Sequence, residues 1–291
     1  MTVLVTGATG NVGREVVRAL RAKGAAVRAA DRRPARVTSM FGADVAPVRL
    51  DFFDGRTFGP ALEGCSTLFL LRPPPISDVK TTLIPFVDAA RTHGVRHVVF
   101  LSVAGADTNR IVPHHAVERH LARRSDDWTV LRPGFFAQNL GDAYRRDIVN
   151  DHRLYVPAGG GRVAFVDVRD IAEVAAAALV EPASHKAKGY TLTGPAAVTF
   201  DEIATLLSEA LDRTIRYDRA SIAGYAWHLH RQGMAIAQVT VQTVLHVGLR
   251  LGQAETLDPT LPALLGRSSR TVRQYVFDHR ATWREPAAPA D

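Results

Sequence analysis

The chain has 291 residues, 46% of them hydrophobic, enough for a large buried core and incompatible with a disordered protein. No apolar run approaches the roughly 18 to 20 residues that a membrane helix needs, and the opening Met1-Thr2-Val3-Leu4-Val5 lacks the layout of a signal peptide. A cytoplasmic protein with no membrane partner is therefore expected. The net charge is +7, but four of the 36 basic residues are lysine and the other 32 are arginine, spread along the chain with no recognition-helix or RNA-binding signature. Nucleic acid is not the expected partner. The single cysteine, Cys65, cannot form an internal disulfide and has no second thiol for a zinc site. It reads as a small buried apolar residue, and no metal is expected.

Taken in order, the first 180 residues alternate short β-rich runs with helical patterns, the signature of βαβ units feeding a parallel sheet. The first strand core, Val3-Leu4-Val5-Thr6, ends directly in the turn Gly7-Ala8-Thr9-Gly10-Asn11-Val12-Gly13. Val12, Val16, Val17 and Leu20 then recur at helical spacing, and Gly24 stops that helix. Further strand cores are Ala26–Ala30, Thr67–Leu71, His97–Leu101 and Trp128–Leu131, with a weaker run, Val45–Leu50, between the second and third strong ones. Helical patterns cover residues 84 to 93 and 115 to 123. These features predict an α/β fold: a Rossmann-type doubly wound parallel sheet over residues 1–180.

Past residue 180 the pattern changes to a short strand, Tyr190–Thr193, and to helices around 200 to 212 and 221 to 250. Residues 181–291, with a contribution from about 140–160, are predicted to form a smaller α/β lobe closing over the cofactor edge of the sheet. The apolar stretch around 234 to 251 reads equally as pocket wall, lobe core or subunit contact, so a homo-oligomer stays open. The tail, 285–291, is expected to fray.

The chemistry begins at the glycine turn. Gly7 permits the tight turn, Gly10 lets the backbone approach a pyrophosphate, and Gly13 lets helix and strand pack closely. Free N–H groups at the helix start, including those near Thr9, Asn11 and Val12, hold phosphate oxygens. A carboxylate at Asp31, 18 residues past Gly13, suits the ribose hydroxyls of NAD, whereas Arg32 and Arg33 suit the 2′-phosphate of NADP. The expected cofactor is NAD(P)(H), and the preference between its two forms stays open. Asp51 reads as an adenine contact or as a turn-capping residue. Leu71 and Arg72 open a proline-rich loop placed to border the nicotinamide ribose. Ser102, at the carboxyl end of a strand, sits where open α/β sheets bind ligands.

Thr6–Gly13, His97–Ser102, Leu131-Arg132-Pro133-Gly134-Phe135-Phe136-Ala137-Gln138-Asn139 and Phe165–Ala172 together resemble the atypical short-chain dehydrogenase/reductase superfamily, in particular its NmrA-like branch. That branch contains quinone and triphenylmethane-dye reductases and redox-sensing regulators. The resemblance implies cofactor contacts at Pro133 and Phe135, and substrate contacts at Phe135, Phe136, Gln138 and Asn139. It also implies a catalytic Tyr-x-x-x-Lys pair with a serine. Counted back from Glu118, the lysine position falls on His114 and the tyrosine position on Arg110, and no tyrosine occurs between residues 1 and 143. His114 and Ser102 are the remaining catalytic candidates, with His114 an imperfect substitute because an ordinary imidazole is only about a quarter protonated at pH 7. The expected activity is hydride transfer from NAD(P)H to a small conjugated, aromatic or quinonoid substrate. The alternatives are a dinucleotide-binding sensor without turnover and a sugar-nucleotide epimerase, which needs the missing tyrosine.

Overall fold

The computed structural model describes residues 1–284, so the tail expected to fray lies outside the described residues. Its strands are β1 (Thr2–Val5), β2 (Ala26–Asp31), β3 (Ala46–Arg49), β4 (Thr67–Leu71), β5 (His97–Leu101), β6 (Trp128–Pro133), β7 (Arg153–Val156), β8 (Arg162–Val163), β9 (Lys188–Leu192), β10 (Val198–Thr199) and β11 (Arg216–Arg219). Its α-helices are α1 (Asn11–Ala22), α2 (Ala35–Phe41), α3 (Phe58–Leu62), α4 (Leu83–Thr92), α5 (Pro113–Arg124), α6 (Arg145–Asn150), α7 (Val168–Val180), α8 (Phe200–Leu211), α9 (Ile222–Arg231), α10 (Ile236–Arg250), α11 (Thr260–Leu265) and α12 (Val272–Asp278).

Seven strands form one parallel sheet in the order β3-β2-β1-β4-β5-β6-β9. The order reverses between β1 and β4, the place where sheets of this kind open a crevice at their carboxyl ends. The weak run at Val45–Leu50 is thus a true sheet strand. Its poor signal has a physical cause: β3 is an edge strand, with Ala46, Pro47 and Arg49 exposed and Val48 half-buried. Buried Val12, Val16, Val17 and Leu20 give α1 its packing stripe. Gly24, at φ +72°, closes it, donating its N–H to Arg21 while Ala25 donates to Leu20.

The chain divides into two compact units: Met1–Pro133 with Val168–Leu192 and Thr260–Arg267, and Gly134–Asp167 with Thr193–Pro259 and Ser268–Asp291. This departs from a single cut near residue 180. The strand expected at Tyr190–Thr193 in the smaller lobe is instead β9, which pairs with β6 and completes the main sheet. Conversely, the second unit takes residues from 134 to 167, because the Phe135 and Phe136 backbone bridges to Val166 and not to the main sheet.

In the first unit Leu68, Leu70, Val98 and Phe100 pack against α4, with Phe52 and Phe58 edge-on to Phe86. The core of the second unit gathers Tyr144, Phe165, Phe200, Tyr225 and Trp283, flanked by the small sheets β7 with β11 and β8 with β10. One face of α10 contributes Val239 and Leu249 to that core, whereas Val241, Val244 and Leu245 are exposed. Among the described residues no helix is long and apolar enough to cross a membrane.

Candidate cofactor and active site

The glycine turn follows β1 at the crevice of the first unit. Gly7 adopts φ +59°, and a Cβ there would lie 2.8 Å from the Leu71 side chain. A Cβ on Gly13 would collide with the Gly7 carbonyl, and one on Gly10 would stand 3.3 Å from the same oxygen. Strand, turn and helix therefore fit only when Gly7 and Gly13 stay glycine, whereas at Gly10 a Cβ needs a shift of a few tenths of an ångström. Gly10 caps α1 without a side-chain hydrogen bond, and no acidic residue occupies the first turn, so the protein leaves the positive helix end for an anion. These features fit the pyrophosphate of a dinucleotide.

Beside the turn lies a cavity of about 480 Å3 whose walls include Gly7, Asp31, Arg32, Arg33, Asp51 and Phe52. Asp31 ends β2 and accepts hydrogen bonds from the Thr9 hydroxyl and, at 2.8 Å, from the Arg33 backbone, with Arg36 at 3.9 Å. The carboxylate is thereby fixed across the mouth of the glycine turn. The exposed guanidinium groups of Arg32 and Arg33 carry no ion pair among the described residues. Asp51 lines the cavity and caps its own turn, accepting from Phe53 N–H at 3.0 Å.

Ser102 and His114 are both buried, and neither resembles a solvent-facing acid. The Ser102 hydroxyl donates to Glu118 Oε1 at 2.5 Å. Glu118 in turn binds Arg132, whose Nη2 lies 2.7 Å from Oε2, and Arg132 also approaches Asp107 at 3.5 Å. Ser102 thus anchors an ionic cluster joining β5, α5 and β6. His114 accepts a hydrogen bond at Nε2 from Arg72 Nε at 3.2 Å, so the neutral ring carries its proton on Nδ1. Burial, reinforced by the Arg72 charge, lowers its pKa to about 4. The partial protonation expected from an ordinary imidazole is corrected accordingly: at neutral pH His114 is uncharged and does not replace a lysine.

In the second unit, the sequence-predicted substrate residues separate into two kinds. The half-buried Phe135 ring stands edge-on to Phe165 and His246, at 5.5 and 6.0 Å between centroids. Gln138 is buried and donates to Asp167 at 3.0 Å. Phe136 and Asn139 are half-buried on the same turn. Behind Phe135, His246 Nδ1 donates to the Gln242 carbonyl at 2.7 Å, leaving Nε2 to accept from the Tyr144 hydroxyl, with Tyr225 hydroxyl 3.4 Å away. Burial raises both phenol pKa values well above 10 and lowers that of His246.

Residues 7–182 match a protein-family model described as NAD(P)H-binding. The chain belongs to this NAD(P)H-binding family. Among similar proteins, an NAD(P)H azoreductase of Xenophilus azovorans is 30% identical, with 97% of this chain and 99% of that one covered. Among solved structures, an NADPH-dependent quinone oxidoreductase of Escherichia coli complexed with NADPH is 25% identical, with a TM-score of 0.84 and 97% and 100% of the chains covered. The triphenylmethane reductase of Citrobacter sp., complexed with NADP(H), shares the fold at 24% identity, with a TM-score of 0.83 and 96% and 99% covered.

Within this family frame the glycine turn, Asp31, Arg32, Arg33 and Asp51 come together in the first unit, as does Leu71, which packs on Gly7. Pro133 closes β6, and its carbonyl accepts from Ala104 N–H at 3.0 Å. Several residues escaped sequence reading. Arg36 was detectable as the residue one helical turn beyond Arg32. The Glu118–Arg132 pair and the Tyr144–His246 pair join distant segments and leave no local signal.

Proposed function

We propose that the chain is an NAD(P)H-dependent reductase of a small conjugated electrophile, quinonoid or azo-aromatic. One observation carries the reading: the residue at the expected lysine position, His114, is buried, neutral and bonded to Arg72, and residues 1–143 contain no phenol. A carbonyl substrate that needs a proton in step with hydride has no donor there. A conjugated acceptor has no such need. When bound, NAD(P)H supplies a hydride to the electrophilic atom, leaving the substrate with a delocalised negative charge that water protonates.

The chain's own contribution is to bind and orient. Amides at the start of α1 and the glycine turn hold the pyrophosphate oxygens. Asp31, Arg32 and Arg33 meet the adenosine ribose and whatever its 2′ position carries, and Asp51 and Phe52 flank the adenine. Phe135 supplies an apolar ring face for a flat substrate, supported by Phe165 and His246. The azoreductase and quinone oxidoreductase relatives support this substrate class.

The test is oxidation of NADPH and NADH by purified protein against a panel of quinones, azo dyes and triphenylmethane dyes, with Gly10→Val as the control. Turnover well above that control is expected; none with any member of the panel overturns the reading. A second reading, a dinucleotide sensor without turnover, is favoured by the same missing acid. It predicts binding that distinguishes NADP+ from NADPH with no cofactor consumed.

A further inference from the structure

The outer side of α5 carries a row of charge that the cofactor site does not use. His115, Arg119 and Arg123 follow one another at four-residue spacing and so share one face of the helix, opposite the buried Val117, Glu118 and Leu121. With Arg110 on the loop before α5 and Lys80 ahead of α4, they wall a groove of about 840 Å3 whose lining includes the half-buried Ile84 and Ala116. Lys80, Arg110, Arg119 and Arg123 are all exposed, and among the described residues none of their side chains makes an ion pair or a hydrogen bond. The acids nearby are already engaged. Asp107 lies 3.5 Å from Arg132, and Asp88 accepts from His120 Nε2 at 2.8 Å, with Arg124 at 3.7 Å. The helix dipole accounts for Arg123, in the last turn of α5, but not for the other three cations. Like charges at Arg119 and Arg123, one turn apart, oppose helix formation, and an anion that meets both offsets that opposition.

Spacing and chemistry favour one kind of occupant. Arg119 and Arg123 are separated by about 6 Å of helix rise, and alternate side chains of an extended chain fall on one side about 6.6 Å apart. Carboxylates at alternate positions therefore meet successive guanidinium groups, each able to take one through paired N–H donors. Cations from three segments of the chain suit a ligand with several charges better than one small anion. At the end formed by the loop, the exposed Asp107 and Thr108 offer oxygen acceptors for backbone N–H groups. A phosphodiester backbone has no N–H donors, its phosphates are repelled by Asp107, and no phenyl, phenol or indole ring lines the groove to stack a base. A two-fold pairing of two copies of this chain through the same face would set cations against cations.

We propose that the groove between α5 and the start of α4 docks an extended, carboxylate-rich segment of a partner protein. It stands apart from the reductase reading, because the groove shares no residue with the cavity beside the glycine turn. Arg119 and Arg123 grip alternate carboxylates, and Lys80 and Arg110 supply further charge from the flanking segments. His115 gives its Nδ1–H to the Ala106 carbonyl at 2.7 Å, which ties the loop to α5 and sets that wall of the groove before the partner arrives. These contacts are exposed, so salt screens them.

The test is fluorescence anisotropy on the full chain with a short labelled peptide alternating Glu and Ser, a matched Gln and Ser peptide, and a single-stranded oligothymidylate. The Glu peptide is expected to bind at low salt and to be released as salt rises, and the Gln peptide not to bind. Arg119→Glu/Arg123→Glu is expected to weaken the Glu peptide by about tenfold or more, the scale of one lost charge-assisted hydrogen bond. Arg216→Glu/Arg250→Glu makes the same change of net charge on exposed, unpaired arginines of the second unit, and is expected to shift binding by no more than about twofold. Arg119→Gln/Arg123→Gln repeats the comparison with good helix formers and no reversed charge, so a folding defect in the first variant does not decide the outcome. Equal losses in the two charge-reversed variants overturn the proposal. So does a parent protein that leaves the Glu peptide unbound, or one that holds the oligothymidylate more tightly than the Glu peptide.

Discussion

Gly13 faces the carbonyl of Gly7 with no room between them for a methyl group. The first turn of α1 therefore rests directly on the backbone that ends β1, which sets the direction in which the helix amides point.

Gly13→Ala is expected to destabilise the protein by about 1–3 kcal/mol, because its Cβ meets backbone that must shift. Gly10→Ala has only a 3.3 Å approach to relieve, so its melting temperature is expected to stay close to the parent's while dinucleotide affinity falls. Thermal melts set beside cofactor titrations check the pair. Equal loss of stability in both variants counts against the division of roles.

The cluster at Asp31 predicts how the two cofactors are told apart. Arg32→Ala/Arg33→Ala is expected to lower NADPH affinity by about tenfold and NADH affinity much less, since the 2′-phosphate is lost as a partner only in the first case. Comparing dissociation constants for the two cofactors at fixed salt decides it, and a parallel loss of both refutes it.

Two buried imidazoles make stability depend on acid. Burial lowers the pKa of His114 and of His97 from 6.5 to about 4, helped by Arg72 and Arg91 respectively. The folded state thus binds fewer protons than the unfolded chain between these values. Stability is complete above pH 6.5 and declines as pH falls towards 4, by a few kcal/mol for the two groups together. Denaturant melts across this range check the loss, and imidazole NMR shifts that stay neutral down to about pH 4 identify its source. A ring that titrates near 6.5 contradicts the assignment.

Ser102 separates structure from catalysis. Its hydroxyl belongs to the Glu118 and Arg132 cluster, so Ser102→Ala is expected to cost about 1–3 kcal/mol while leaving hydride transfer largely intact. Glu118→Gln, which strands a half-buried Arg132, is expected to cost more, about 3–5 kcal/mol. Denaturation curves and single-turnover rates on the same samples test this, and a collapse of the rate in Ser102→Ala at unchanged stability rejects it.

The glycine turn and α1 were legible because both depend on neighbours in sequence: apolar residues at helical spacing and glycines at fixed offsets. The seventh strand was not, since β9 gains its place from pairing with β6 across a long excursion through the second unit, and nothing within Lys188–Leu192 announces that partner. Site residues divide in the same way. Asp31 was visible from its distance to the turn, but its bond to Thr9 joins residues 22 apart. The state of His114 was misjudged because the group that governs it, Arg72, lies 42 residues earlier. Ser102 was correctly located at a strand end, yet its bond to Glu118 depends on how α5 packs.

The interleaving of the chain carries a practical lesson for anyone who would dissect it. A fragment stopped at residue 180 lacks β9 and leaves the outer rim of β6, where Val130 and Leu131 are fully enclosed in the intact protein, as a bare template for strand-to-strand association. Such a truncation is a recipe for insoluble material, and a transplantable nucleotide module has to carry the 168–192 and 260–267 segments along with the first 133 residues.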